Sequence, residues 1–571
     1  MAVVPTGRPT PSEVETEWQF DAIDLRPVER WLAEVTPPAA AGSPSEPPLD
    51  SLVTASPSTA KRLIDRYLDT SDWRIARAGF VLRVREAPAG LEVTLKDTAP
   101  ATAGLRRRIE ITEPLPAGGI GSLGTEGPVG RRLHALVASR PLLEVLEVRT
   151  RRRPYTLRVG ADTVAEVALD DTVISVGTGS QPVRLRRVEV EVEAAWVERL
   201  GDLVGRMQAQ CGLQAATLSK FEAGMLGGGV EIPSATELGP TSVSPSSSIG
   251  DVAYVVLRRN LVVMLEHEAG TRLGDDAEDL HDMRVATRRM RAALDLFADM
   301  LPVRARHYRV ELGWLADALG AVRDLDVQLE GIDSWKSGAV EDDHGALGDL
   351  ATLIERERDD ARRRLLHCLE SARYERLVTS MSTMLRQGPS RRSAAARVPA
   401  VAVVPDLVRD RHRSVTKAAA RVRRSQDAQD FHRLRIRCKR LRYALEFVSE
   451  VYPGQTSQYV KKVTSVQDVL GLMQDARVAV ERLQGHAASG KPPLSRLTVF
   501  VMGGVAERYR AEAARRARRV PKKLEAITGT RWRKLITHME AKRVESAIRY
   551  GRPAPARVQA GAPDPAATEG F

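Results

Sequence analysis

The stretch VRLRRVEVEVE, residues 183–193, alternates apolar and charged side chains over most of its length, which is the period-two pattern of a strand with one apolar and one charged face. The same alternation runs through VETEWQF (14–20), FVLRVRE (80–86), LEVTLKD (91–97), RRRIEIT (106–112), EVRTRRRPYTLRV (147–159) and TVAEVALDD (163–171), each bounded by turn residues or a short helical stretch. For any one strand, a solvated outer face laced with ion pairs is as good an explanation as an enclosed one. For seven strands together it is poor, because one small sheet does not need a charged face on every member. An antiparallel sheet closed into a barrel, with the charged side chains turned into one lumen, accounts for all seven. We expect this barrel over residues 12–222.

Beyond it the pattern changes. Residues 223–248 are rich in Gly, Ser, Pro and Thr and read as a flexible linker; the Ala/Pro-rich segment from Thr36 to Pro48 and the tail 551–571 read the same way. From 249 to 550, Leu, Val and Ala recur at three- and four-residue steps, predicting an all-α bundle. Within it HDMRVATRRMR from His281 matches HRLRIRCKRLR from His432, and Leu319-Gly320 to Asp324 matches Leu470-Gly471 to Asp475; 432 − 281 and 470 − 319 are both 151. Two motifs with one offset mean an internal duplication. The expected fold class is therefore α+β in two domains, as 571 residues also suggest.

The formal charge of +12 is concentrated late in the chain. Residues 251–400 carry 23 basic and 26 acidic side chains, whereas 401–550 carry 33 and 14, so the second stretch alone holds +19. Such a surface calls for a polyanion. Aromatic content of 4% disfavours nucleic acid, whose single-stranded form stacks on rings, and leaves polyphosphate as the better partner. Cys211, Cys368 and Cys438 make neither a metal spacing nor a disulfide framework. With no leader-like start and no long apolar run, a cytoplasmic protein without membrane contact is expected.

In the strand region Glu15, Glu17, Glu110, Glu166, Asp170, Glu189 and Glu191 supply oxygen ligands of the kind that suit Mg²⁺ or Mn²⁺. Arg83, Arg85, Lys96, Arg108, Arg149 and Arg151 supply cations that match phosphate oxygens. The whole region, Val14 to Lys220, resembles a CYTH domain of the triphosphate tunnel metalloenzymes, carried by VETEWQF, RYLDTSDWRIARAGFVLRVR, EVTLK, RRRIEI, VRTRR, AEVALDD, RRVEVEVE and LSK. The resemblance implies metal ligation by Glu15, Glu17, Asp170, Glu189 and Glu191, with Glu15, Glu17 and Glu191 as the catalytic group. It implies triphosphate binding by Arg83, Arg85, Lys96, Arg108, Arg149, Arg151 and Lys220. One departure stands out: the third position of the family's opening signature is Gln19 and not lysine. The register Glu13, Glu15, Glu17 fits worse, because it puts glutamate there.

In the helical region His281, Arg284, Arg288 and Arg291 are spaced three, four and three and share one helix face; His432, Arg435, Lys439 and Arg442 repeat this. One such face could simply be solvated, but two at matched positions point to an anion. These segments resemble the CHAD domain, which implies polyphosphate binding by those eight residues together with Arg440 and Lys461. The functional expectation is a metal-dependent triphosphatase joined to a polyphosphate holder. Its rivals are a non-enzymatic polyphosphate-binding protein of polyphosphate granules with a degenerate tunnel, and an adenylate cyclase or thiamine triphosphatase of the CYTH group.

Overall fold

The computed structural model describes residues 14–35, 53–87, 90–116, 118–177, 181–232, 237–337, 341–425, 427–489 and 494–550. The segment from Thr36 to Pro48 and the tail 551–571 lie outside them. The chain divides into two compact units, residues 1–235 with 272–275, and the remainder.

In the first unit the strands are β1 (Val14–Asp21), β2 (Val53–Pro57), β3 (Lys61–Thr70), β4 (Phe80–Ala87), β5 (Gly90–Asp97), β6 (Leu105–Pro114), β7 (Leu142–Val159), β8 (Asp162–Ser175), β9 (Val183–Val192) and β10 (Gln214–Ala215). Eight of them, in the order β1-β6-β5-β4-β3-β7-β8-β9, pair antiparallel, and β9 pairs back to β1 to close the barrel. The expected closed barrel is present. Sequence patterning had missed β3: KRLIDRYLDT mixes charges on both parities and so shows no clean alternation.

The barrel is polar inside and apolar outside. Trp18 and Phe20 of β1, Val167 and Leu169 of β8, and Val188 and Val190 of β9 point outward and bury against helices α1 (Arg26–Glu34) and α4 (Val197–Gln210) through Val28, Leu32, Leu200 and Val204. This covering lets the alternate residues of the same strands be charged and still enclosed. Helices α2 (Arg74–Arg77) and α3 (Pro128–Val137) flank the sheet. Helix α5 (Lys220–Gly227), capped by Ser219 and Glu222, buries Phe221 and Met225 against Tyr67, Leu146 and Ile174. Of the expected linker 223–248, residues 223–227 thus finish a helix packed on the barrel. Leu238 is buried in the core of the second unit, and 233–236 lie outside the described residues.

The second unit is helical: α6 (Ile249–Glu266), α7 (Glu268–Leu273), α8 (Ala277–Leu296), α9 (Ala305–Lys336), α10 (Glu341–Glu370), α11 (Ala372–Gln387), α12 (Ala400–Ser425), α13 (Ala428–Phe447), α14 (Gln455–Ser489), α15 (Arg496–Ala517), α16 (Val520–Thr528) and α17 (Thr530–Tyr550). The duplication is visible in the helix boundaries. Helices α8 and α13 are each 20 residues long, and 428 − 277 and 447 − 296 are both 151. Their N-caps, Asp276 and Asp427, both accept a hydrogen bond from the backbone N–H two residues on. The starts of α6 and α12 keep the same offset, since 400 − 249 is 151. No helix among the described residues is long and apolar enough to cross a membrane.

Candidate functional site

The barrel lumen encloses a cavity of 690 Å³ lined by Glu15, Glu17, Gln19, Asp65, Arg83, Arg85, Lys96, Arg108, Glu110, Arg152, Glu166, Glu189, Glu191 and Lys220, among others. Strand parity decides this membership. On β1 the odd residues face in; on β9 Glu189 and Glu191 sit opposite Gln19 and Glu17, and Glu191 is also opposite Glu166 of β8. Glu17, Glu191 and Glu166 therefore form a row of three carboxylates across three neighbouring strands. Like charges directly opposite one another destabilise a sheet.

The cations are distributed around this row and are paired in the ligand-free protein. Lys96 Nζ lies 2.6 Å from both Glu15 Oε2 and Glu110 Oε2, and Arg83 Nη2 donates to Glu110 Oε1 at 3.0 Å. Arg85 grips Asp65 in a two-pronged contact at 2.6 and 2.8 Å. Arg108 pairs with Glu17, whose Oε1 also accepts the amide of Gln19 at 2.8 Å. At the α5 end, Lys220 Nζ reaches Asp170 at 2.5 Å and Glu189 at 3.0 Å, and Arg152 donates to the same two acids at 2.7 and 2.5 Å.

Electrostatics separates the acids into two kinds. Burial would push Glu189 up, but Lys220 and Arg152 outweigh it and hold the carboxyl well below its ordinary range. Glu110 likewise is held down to about 2 against burial by Lys96 and Arg83. By contrast, burial pushes Glu15 up to about 7, Lys96 only partly opposing it. Glu191 is raised by burial and by the neighbouring Glu110 and Glu166. Glu15 and Glu191 are thus short of positive charge, whereas Glu189 and Asp170 each have two cations against them.

The lumen brings together Glu15, Glu17, Glu189, Glu191, Arg83, Arg85, Lys96, Arg108 and Lys220 of the expected residues, and Asp170 lies fully buried behind Arg152 and Lys220. It does not bring in Arg149 or Arg151. Both are exposed on the outer face of β7, where Arg149 pairs with Glu147 at 2.7 Å. Their place is taken by Arg152, one residue out of register. Among 149–153 four of five residues are arginine, so either parity offers a cation and the pattern is silent. Asp65 was hidden with β3, and Glu166 stands opposite Glu191 only once the β8-β9 register is known. Among the described residues no three metal-type ligands converge on one point, since Glu17 turns to Arg108 and Glu15 to Lys96.

In the helical unit α8 and α13 bury Leu280, Met283, Ala286 and Met290, and Leu434, Cys438, Leu441 and Ala444, which fixes the adjacent stripe of cations. Arg284, Arg288, Arg435 and Lys439 form one cluster. Arg284 reaches Asp324 of α9 at 3.2 Å, and Arg482 of α14 approaches the same acid at 3.8 Å. His432 Nδ1 contacts Gln474 Oε1 at 2.9 Å, and His281 is half-buried on α8. The Nε atoms of Arg288 and Arg435 are buried with no hydrogen-bond partner among the described residues. Burial, reinforced by Arg435, Arg288, Arg284 and Arg442, pushes the Lys439 ammonium down to about 6. Arg442 stacks over Tyr443 beside this cluster, while Arg291 and Arg440 lie nearer Arg309. Lys461 is exposed on α14, and no described contact joins it to the cluster.

The family model for the CYTH domain matches residues 44–222, and that for the CHAD domain matches residues 255–484. The CYTH match begins after β1, so Glu15, Glu17 and Gln19 reach the site through the pairing of β1 with β6 and β9. No curated protein matches the chain. Among solved structures, the CHAD domain from the plant Ricinus communis aligns at 27% identity over 50% of this chain and 94% of its own, with a TM-score of 0.43. PptA from Streptomyces chartreusis aligns at 20% identity over 49% and 100%, with a TM-score of 0.41. A Hippeastrum adenylyl cyclase described as having a dominant triphosphatase activity aligns at 17% identity over 38% and 98%, with a TM-score of 0.28.

Proposed function

Because this chain carries a CYTH domain followed by a CHAD domain, we propose that its barrel hydrolyses inorganic triphosphate or a short polyphosphate with a divalent metal, while its helical unit holds polyphosphate. The observation that carries the first half is the row Glu17, Glu191 and Glu166, three carboxylates side by side that line one cavity with Arg83, Lys96, Arg108 and Arg152. Such a row fits a hard cation with oxygen ligands. Mg²⁺ or Mn²⁺ would be held by Glu17, Glu166 and Glu191 with Glu15 beside them, and when bound would offset charge on the phosphate oxygens. Glu189 and Asp170 act instead as the anchors that position Arg152 and Lys220.

Triphosphate entering the lumen exchanges carboxylate partners for phosphate oxygens at Arg83, Arg85, Lys96, Arg108, Arg152 and Lys220. Two-pronged arginines and compact ammonium groups spread along a tunnel suit a linear chain of tetrahedral oxyanions. Water attacks the terminal phosphorus, its proton passes to a lumen carboxylate among Glu15, Glu17 and Glu191, and the terminal P–O–P bond breaks to release diphosphate.

The test is phosphate release from triphosphate with Mg²⁺, with Mn²⁺ and with chelator. Release is expected only with metal, and Glu191→Gln is expected to lower kcat on the order of 100-fold. Failure to release phosphate with either metal, or full turnover in Glu191→Gln, overturns the enzymatic reading. For the helical unit, Arg435→Ala with Lys439→Ala should weaken retention of long-chain polyphosphate on the order of tenfold, and unaltered retention overturns that half.

A further inference from the structure

Helix α15 packs one face and leaves the other bare. Thr498, Val501, Met502, Val505 and Ala506 are buried in the helical unit, whereas Leu497, Val499 and Phe500 are open to solvent. Phe500 is 77% exposed and is the one exposed Phe, Tyr or Trp among the described residues. One turn on come Gly503 and Gly504, both exposed, and one turn further Glu507, also exposed. Steps of four, three and four residues keep Arg496, Phe500, Gly503 and Glu507 on a single stripe of the helix. Neither glycine has a left-handed φ, and a Cβ added at either would meet nothing within 4 Å. Glycine inside a helix is costly relative to alanine. The packing of this chain on itself gives no reason to bear that cost here; close approach of a second backbone from outside does.

The stripe is complementary to itself. A two-fold axis that lays two copies of α15 antiparallel can set Phe500 of each opposite Gly503 of the other, ring over the place where no Cβ stands. The same axis fixes the next contact out. Glu507 lies four residues after Gly503 and Arg496 four before Phe500, so Arg496 of one copy faces Glu507 of the other, and every contact is made twice. Both groups are available for it. Arg496 makes no ion pair among the described residues, and Glu507 has a surface contact to Arg510 at 3.3 Å, of a kind that contributes little. An apolar knob, a matching gap and opposite charges at the two ends of one stripe are what a self-pairing helix needs. A polyanion would instead meet the Phe500 ring and the Glu507 carboxylate.

We propose that the α15 face at Phe500 and Gly503 is a homodimer interface, on which the helical unit docks antiparallel against a second copy of this chain. The proposal rests on neither phosphate reading. The stripe from Arg496 to Glu507 spans about three turns of helix. One such contact buries less than the roughly 1,200 Å² at which stable interfaces begin, so the dimer should be reversible, with Kd on the order of 10 µM.

The experiment is sedimentation equilibrium of the full chain from about 1 to 100 µM, a range that brackets the expected Kd. Nuclease and polyphosphatase treatment beforehand removes any polyanion that would bridge two basic molecules. The average mass should rise with concentration from one chain towards two. Arg496→Glu and Glu507→Arg each set like charges opposite one another twice and should raise Kd about tenfold. The double variant Arg496→Glu/Glu507→Arg restores the pairs with their signs exchanged and should return Kd to within about twofold of the wild type. Phe500→Lys should be monomeric throughout. Gly503→Leu fills the gap and should also be monomeric, yet melt at a higher temperature because leucine favours the helix over glycine, which separates a lost interface from a lost fold. A wild-type chain that is monomeric at every concentration once polyanion is removed overturns the proposal. Dimers that persist in Phe500→Lys and Gly503→Leu do the same, as does a double charge variant no tighter than the single ones.

Discussion

Two residues concentrate the chemistry of their units. Gln19, which the resemblance sets at the signature lysine of the tunnel family, spends its amide on Glu17 at 2.8 Å while its Oε1 is buried without a partner among the described residues. A neutral amide stabilises Glu17 less than a cation would and leaves phosphate one positive charge short. Gln19→Lys is therefore expected to raise kcat/KM for triphosphate several-fold; unchanged or lower turnover would mean that the amide suits this site. Lys439 is the counterpart in the helical unit. It is enclosed by Arg284 and Arg288 of α8 and Arg435 and Arg442 of its own helix, with Asp475 of α14 as the nearby acid, itself raised by burial. Its folded value of about 6 lies below the ordinary 10.5, so between those limits the unfolded chain binds a proton that the ligand-free folded chain lacks. Stability of the ligand-free unit must then rise with pH across that window. Polyphosphate bound at Lys439, as proposed, would reverse the preference by favouring the ammonium, so its binding at pH 7.5 is expected to take up protons. Calorimetry in buffers of different ionisation heat should show proton uptake for the wild type and markedly less for Lys439→Arg, which stays charged throughout. Equal uptake in the two proteins would sink this account.

At the scale of elements, the decisive feature is strand parity. On β7 the even residues Thr150 and Arg152 turn inward, and Arg152 holds the fully buried Asp170. Arg152→Ala leaves that carboxylate with Lys220 alone and is expected to cost about 3 kcal/mol, read as a lower barrel melting point. Arg149→Ala and Arg151→Ala on the outer face should each stay within about 0.5 kcal/mol. Reversal of that order would show that the register is wrong. The same contrast explains what the sequence could reveal. Where one parity is apolar, as in 183–193, both the strand and its inward acids are legible. Where arginine fills both parities, as in 149–153, only the strand is. β3 carried neither signal, so Asp65 and its grip on Arg85 became visible only through pairing. Helices α8 and α13 were legible as a repeated pair through the cation motif and its offset of 151, which their caps and bounds then share. The bare face of α15 was not legible, because an apolar-rich run such as 497–502 does not say which of its members the fold leaves outside.

For the whole molecule, two separate cores imply two separate cooperative transitions. The outer barrel core, which includes Leu169, and the helical core, which includes Leu441, share no residue among the described ones. Leu169 and Leu441 are both fully buried, so replacing either by alanine leaves a cavity costing about 2 to 5 kcal/mol. Because each loss belongs to one core, Leu169→Ala should lower only the barrel transition in scanning calorimetry and Leu441→Ala only the helical one. Ligands supply an orthogonal check, since whatever binds one folded unit raises that unit's melting point alone. Triphosphate with Mg²⁺ should move the transition that Leu169→Ala lowers, and long polyphosphate in chelator the transition that Leu441→Ala lowers. A single transition that responds to both substitutions would mean that the units unfold together, and the tunnel and the polyphosphate sites would then be thermodynamically linked through folding itself.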